Sequence, residues 1–309
     1  MAANYWLSTQ WCAEANSNSW LIDAAAVAES RKEDLQYASG DELAAIGIWC
    51  SMVIGALCKR LGLRQRVTAT ACVYCKRFYC VNSYSATDPM IVIAACVYLA
   101  AKVDEMPVRI RAFSSETAKL FGEMGFHDFN GSLNTLAEME FYLLEDLGCE
   151  LVVFHPYATV LALAKYDEPG GPIDHKTVQM AWCVGAYRLI VNDMYRTDIP
   201  LQNPPYVLAV SSIYLALVLQ PQSADGIRAE LDTRRKETST RQSDAVAMLA
   251  RLNVSLSAVA HVAQAMMAHY ELCHRLWNEP GGIRDHASMF LRLKRMYAAR
   301  RDELLGAVR

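Results

Sequence analysis

Two groups of residues have the types, but not the spacing, of metal ligands. Cys72 and Cys75 form a C-x-x-C pair, and His261, His269 and His274 follow each other late in the chain. A structural zinc ion needs four Cys or His ligands, usually from two such pairs. The sequence has no second C-x-x-C, and the histidines lack the i, i+4 spacing of zinc proteases. We therefore expect no metal site, and cysteines that share one buried helix face.

A charged cluster ends the most apolar stretch of the chain, DPMIVIAACVYLAAKVDE. Asp88 can cap a helix and Pro89 suits its first turn, and no charge then occurs before Lys102. A helix that is apolar all round is buried on every side. Asp104 and Glu105 follow Lys102 and oppose the helix dipole. This end is either an ordinary solvated helix terminus or a contact site.

Glu140 lies on the apolar stripe of a predicted helix, with Leu136, Leu143 and Leu147 on the same face. A carboxylate in such a place costs free energy unless it is paired. Glu140 is therefore expected to pair either with a cation of its own chain, or with a cation or an exposed helix end of another protein.

Nothing in the sequence indicates catalysis. It contains no G-x-S-x-G, no phosphate-binding loop and no dinucleotide fingerprint, so we predict no catalytic residue and no cofactor. The tail from 281 to 309 is basic, but it lacks the interleaved aromatic residues of many nucleic-acid sites, and the net charge is −3. We expect no direct contact with nucleic acid and none with a membrane.

The composition is that of a globular, all-α protein. The chain has 309 residues, 53% hydrophobic and 20% charged, which suits two domains. Most of its ten cysteines, such as Cys50, Cys58, Cys96 and Cys183, stand in apolar helical patterns, as in a reducing compartment. Periodicity and capping residues predict helices at 22–36, 41–61, 64–80, 88–103, 132–147, 156–166, 174–194, 206–219, 245–277 and 286–305. Short helical pieces and turns are expected at 107–131.

The two halves of the chain repeat one pattern. VYLA at 97–100 and IYLA at 213–216 differ by 116 positions, and the same offset places Pro89 on Pro205. We interpret this as a duplicated helical unit. Four domains are predicted. They are an N-terminal segment (1–40), a first unit (41–150), a second unit (151–277) with a charged insertion near 222–244, and a basic C-terminal helix (278–309).

Four motifs in order resemble the cyclin family, and within it the fungal cyclin C type. VYLAAKVDE resembles the cyclin signature; the others are LRQRVTATACVYCKRFY, MEFYLLEDLGCELVVFHPY, and VNDMYRTD with PPY. The resemblance covers roughly residues 40–220. It implies two tandem five-helix cyclin boxes with flanking helices at both ends, and no active site.

The resemblance also implies a partner. Cyclin C is the cyclin of the Mediator kinase module, so the implied partners are a cyclin-dependent serine/threonine kinase, the other module subunits and the RNA polymerase II holoenzyme. The implied role is nuclear: activation of a kinase that phosphorylates the polymerase C-terminal domain and transcription factors, with activating and repressing effects. Carried over by motif, the kinase-binding residues are Lys102, Glu105 and Glu140.

Some residues depart from the family pattern. Asp104 replaces the usual Glu, and Leu63-Arg64-Gln65-Arg66-Val67 stands where cell-cycle cyclins carry their substrate-docking motif. In those cyclins an Asp that forms a buried pair stands at the position of Lys76, so we do not expect the same pair in this chain. The alternatives are another transcriptional cyclin of the elongation or TFIIH type, a TFIIB-like cyclin-fold factor that binds promoter DNA, and a helical adaptor without a kinase.

Overall fold

The computed structural model describes residues 21–126, 129, 132–164, 190–219, 254–279 and 281–307. Within them it consists of helices joined by turns and loops, and no strand occurs. This confirms the predicted all-α class. The helices are α1 (Ala24–Ser30), α2 (Gly40–Arg60), α3 (Gln65–Val81), α4 (Pro89–Val103), α5 (Ile110–Glu123), α6 (Leu133–Asp146), α7 (Tyr157–Ala164), α8 (Ile190–Met194), α9 (Ile199–Gln202), α10 (Pro205–Leu219), α11 (Leu256–Asn278) and α12 (His286–Ala307). The insertion near 222–244 and Cys183 lie outside the described residues.

Helix α4 is the centre of the larger compact unit. It packs against α2, α3 and α6, and only Ile91, Lys102 and Val103 among its residues escape full burial. Asp88 caps it by accepting a hydrogen bond from the Met90 amide at 2.9 Å. The prediction of a buried helix that ends in charged residues is therefore confirmed.

The expectation of short helical pieces was wrong for residues 110–123, whereas a turn is present after them at Gly125. Residues Ile110–Glu123 form a single helix, α5, because Phe113, Thr117, Leu120 and Phe121 recur at helical spacing and are buried. Ser114, Ser115 and Glu116 interrupt the apolar pattern in the sequence and hide this stripe.

The chain divides into two compact units, and both contain residues from distant parts of the sequence. In the described residues, the larger unit comprises 21–126, 129, 132–153, 195–202, 270–279 and 281–307, and the smaller comprises 154–164, 190–194, 203–219 and 254–269. In the smaller unit α10 packs against α7 and α8, and the Tyr157 hydroxyl donates to Asn192 Oδ1 at 2.7 Å. The domain bounds predicted from the sequence stay predictions.

The repeat seen in the sequence coincides with two matching helices. Pro89–Val103 and Pro205–Leu219 each have 15 residues and each begin at the proline of the repeat. The buried residues of α10 include Val207, Leu208 and Ile213, so this helix is also a core element, in the smaller unit. The correspondence supports the interpretation of the chain as a duplicated helical unit.

Helix α2 alone, among the described helices, has the length and apolarity to span a membrane. Most of its apolar stretch is buried against the rest of its unit, as in the core helix of a globular domain. A capping box joins Ser39 and Glu42 at its start, and Lys59 and Arg60 lie in its last turn. The expectation of no membrane contact stays a prediction.

Candidate functional site

The cysteines and histidines considered as metal ligands do not form a site within the described residues. No cluster of three or more His, Cys, Asp or Glu side chains there could hold a metal ion. Cys72 and Cys75 are buried on α3, and Cys50, Cys58 and Cys96 are buried as well, as their apolar surroundings predicted. Burial raises the pKa of Cys72 to about 12, so this thiol stays protonated.

The structure brings Lys102 and Glu140 together at the end of α4. The Lys102 ammonium lies 2.6 Å from Glu140 Oε1 and 2.8 Å from Oε2. It also lies 4.3 Å from the centre of the Tyr98 ring, a cation–π contact. The Lys102 side chain is 41% exposed and that of Glu140 only 15%. The partner sought for Glu140 is thus a lysine of its own chain, at the edge of the core.

Three contacts hold Lys102, yet the pair keeps hydrogen-bonding capacity. An ammonium has three N–H donors, and two suffice for the oxygens of Glu140. Each carboxylate oxygen can accept more than one hydrogen bond. A peptide segment of another protein can therefore find a donor for a carbonyl and an acceptor for an amide on this pair.

The two acids after Lys102 have different surroundings. The Asp104 carboxylate is buried and accepts from the Thr70 hydroxyl at 2.7 Å and from Arg66 Nε at 2.9 Å. Its charge is therefore compensated, which explains how an acid is tolerated at this helix end. Glu105 is exposed. Of the acidic pair, only Glu105 is exposed to solvent.

Glu105 has a left-handed backbone, with φ of 56°. It occupies the position after the cap of α4, where the Met106 amide donates to the Ala101 carbonyl at 2.8 Å and the Glu105 amide to Lys102 at 3.2 Å. This is the Schellman arrangement, which favours glycine because a side chain there is strained. Helices α2, α5 and α6 end in the same way, and each has a glycine at that position: Gly62, Gly125 and Gly148.

Two aromatic side chains missed by the sequence reasoning lie on α6 beside Glu140. Phe141 is 73% exposed and Tyr142 is 63% exposed. The face that carries Leu136 and Leu143 is buried, so these aromatic rings lie on the solvent side. Their position outside the apolar stripe that holds Leu136, Leu143 and Leu147 was the signal available in the sequence.

The sequence matches the family described as Cyclin, N-terminal domain, over residues 48–152, which includes Lys102, Glu105 and Glu140. The RNA polymerase II holoenzyme cyclin-like subunit of Mycosarcoma maydis is 32% identical, with 99% of this chain and 98% of that protein aligned. The chain belongs to the cyclin family. Cyclin-C of Rattus norvegicus is 36% identical over 75% of this chain and 77% of its own length, so the chain is of the cyclin C type.

The fold of this chain is also found among solved structures. A chain of the CAK complex from Chaetomium thermophilum bound to ATP-γ-S superposes with a TM-score of 0.60 at 15% identity, over 98% of this chain and 96% of that one. At this identity the likeness concerns the fold alone. Together with the family match it confirms the all-α cyclin architecture predicted from the motifs.

Within this cyclin, the motif VNDMYRTD has a structural role. The buried Lys76 ammonium lies 3.2 Å from Asp198 Oδ1 and 3.4 Å from the Arg196 carbonyl. Burial opposes ionisation of Asp198, but Lys76 and Arg31 outweigh it and hold the pKa of this carboxyl below its usual value. The buried Lys76 thus forms an ion pair with half-buried Asp198, a partner that the likeness to cell-cycle cyclins did not indicate.

Proposed function

We propose that this cyclin is the non-catalytic regulatory subunit of a cyclin-dependent serine/threonine kinase in the Mediator kinase module. The kinase would phosphorylate the RNA polymerase II C-terminal domain and transcription factors in the nucleus, activating some genes and repressing others. The observation that carries the proposal is the Lys102–Glu140 pair, with contacts of 2.6 and 2.8 Å at the rim of the core. The name of the relative from Mycosarcoma maydis, a holoenzyme cyclin-like subunit, supports the transcriptional setting.

The proposed mechanism is mechanical. Lys102 and Glu140 bind the backbone of the kinase beside its C-helix, and Glu105 contributes a carboxylate at the same helix end. A kinase transfers phosphate only when a glutamate of its C-helix pairs with the lysine that binds ATP phosphates. A cyclin that holds this helix inward completes that pair. The chain needs no catalytic group or cofactor of its own for this action.

The pair is suited to the task because its geometry exists before the kinase binds. Long side chains lose about 0.5–1.5 kcal/mol of rotamer entropy each when a complex orders them. The carboxylate and the Tyr98 ring already restrain Lys102 in the free chain. Less ordering remains to be done on binding, so more of the contact energy becomes affinity.

The first experiment is a pull-down of the tagged chain from nuclear extract, identified by mass spectrometry. Recovery of a cyclin-dependent kinase with the large Mediator kinase-module subunits supports the proposal. A kinase without Mediator subunits would indicate an elongation or TFIIH cyclin. Promoter DNA or polymerase without a kinase would indicate a TFIIB-like factor.

The site is tested with the double variant Lys102→Ala/Glu140→Ala. Removing both partners leaves no unpaired charge behind, so helical content and stability should change little, whereas affinity for the recovered kinase should fall roughly 30-fold, as for a hot spot of about 2 kcal/mol. The matched control is Arg60→Ala/Glu123→Ala, which removes another intrachain ion pair, 2.6 Å long, and the Arg60 contact to Glu116 from the same unit. Equal kinase affinity for both double variants and the wild type would refute the site assignment.

A further inference from the structure

Helix α6 presents an aromatic pair framed by acids. Glu138 precedes Tyr142 by four residues and Glu145 follows it by three, so all three lie on one side of the helix with Phe141 beside them. All four residues are exposed. The opposite side of α6 is buried through Leu136 and Leu143.

This surface is not explained by the fold. Burying an aromatic side chain removes about 150–250 Å² from water, so two adjacent exposed rings forgo a large stabilisation. Phe141 and Tyr142 are the most exposed large hydrophobic residues on α6, at 73% and 63%. Aromatic residues of this kind are enriched among the side chains that dominate binding energy at protein interfaces.

The charges around the rings define the chemistry of what covers them. Helix α6 contains four acids and no Lys, Arg or His. Glu138 and Glu145 flank the rings, and Glu140, the partner of Lys102, precedes Phe141 directly. A complementary surface therefore has an apolar pocket with Lys or Arg at its border.

We propose that Phe141 and Tyr142 enter such a basic-rimmed apolar pocket on the same kinase that Lys102 and Glu140 bind, and that this contact selects the kinase. The inference rests on the proposed function. Glu140 and Phe141 are consecutive residues, so a protein that reaches the ion pair is adjacent to the rings. The ion pair binds backbone, which all kinases share, whereas rings in a pocket distinguish one kinase from another.

The test uses the full chain, the kinase recovered with it, and the double variant Phe141→Ala/Tyr142→Ala. Because both rings are exposed, its thermal unfolding should match the wild type, while kinase affinity should fall tenfold or more. The control is Leu304→Ala/Leu305→Ala, which removes two other adjacent exposed apolar side chains, on α12, and should retain the affinity.

The acidic frame is tested separately. Glu138→Lys/Glu145→Lys should slow association with the kinase, and the difference from wild type should shrink as salt is raised toward about 1 M, where the Debye length is about 3 Å. A salt-independent association rate, identical for variant and wild type, would refute the basic rim.

The outcomes separate this inference from the proposed function. If the wild-type chain recruits no kinase, both fail. If the kinase binds, and Lys102→Ala/Glu140→Ala weakens it but Phe141→Ala/Tyr142→Ala does not, the proposed function stands and the aromatic anchor is overturned. A chain that sediments as a dimer through Phe141 and Tyr142 would also overturn it, since the occupant would then be a second copy.

Discussion

Replacing Glu105 with glycine should make the protein more stable, although it removes a side chain from the candidate site. Glu105 has φ of 56°, a left-handed conformation that costs an L-residue roughly 1–2 kcal/mol. Glycine adopts it freely but loses more backbone entropy on folding, by roughly 0.5–1 kcal/mol. The difference predicts a gain of about 0.5–1 kcal/mol in the free energy of unfolding of the larger unit.

The reciprocal change provides the control. Gly62 occupies the equivalent position after α2, with φ of 66° and no atom within 4 Å of where a Cβ would stand. Gly62→Glu should therefore lose about as much stability as Glu105→Gly gains, through backbone strain alone. For sites that do not touch each other, the two effects should cancel in the double variant.

Urea unfolding followed by tryptophan fluorescence measures these changes, because Trp49 is fully buried in the larger unit. The midpoint should rise for Glu105→Gly and fall for Gly62→Glu at an unchanged slope. A fall in stability for Glu105→Gly would refute the reasoning, since it would show that the side chain stabilises the fold. If the proposed site is correct, Glu105→Gly and Glu105→Gln should both weaken kinase binding, while only the first raises stability.

The ion pair of buried Lys76 with half-buried Asp198 leads to two further predictions. Lys76→Met leaves the Asp198 carboxylate, whose side chain is 34% exposed, without its closest cation and should cost about 1–2 kcal/mol of unfolding free energy, whereas Lys76→Met/Asp198→Leu should lie near the wild type by urea unfolding. A double variant as unstable as the single one would contradict this account. Because the pKa of Asp198 is lowered in the folded protein, the carboxylate contributes stability above about pH 4 and loses it as the pH falls through the folded value. Urea midpoints between about pH 2 and 6 should therefore fall less steeply for the double variant, and parallel curves would refute the assignment.

The sequence predicted the fold well where one physical rule dominated. The apolar run from Pro89, its Asp88 cap and its charged end gave α4 almost to the residue, since a buried helix must be apolar all round. Helix α5 was missed because serines and a glutamate interrupt its stripe, and only tertiary packing of Phe113 and Phe121 reveals it. The spacing of apolar residues reveals a helix whose buried face is continuous in the sequence, but not one whose buried face is interrupted by polar residues.

The candidate site was predicted only in part, because local sequence pattern does not show which distant residues come into contact. The odd positions of Lys102 and Glu140 could be read from pattern and burial cost, but their mutual contact joins residues 38 apart and requires the fold. The pairing of Lys76 with Asp198, 122 residues apart, had no local signal at all. The left-handed backbone of Glu105 could not be predicted either, because glycine is the usual sequence signal for this conformation and this position has a glutamate.

The intrachain pair changes how mutations at this site must be interpreted. Truncating Lys102 alone leaves Glu140, whose side chain is 15% exposed, without its cation, so part of any loss would reflect the cost of a partly buried charge. Truncating Glu140 alone leaves Lys102 over the Tyr98 ring and better solvated, because it is 41% exposed. The two single variants should therefore differ in stability, with Lys102→Ala the less stable, although both lose the same pair. A kinase contact made by the pair as a unit would give each single variant nearly the full loss of affinity seen in the double variant.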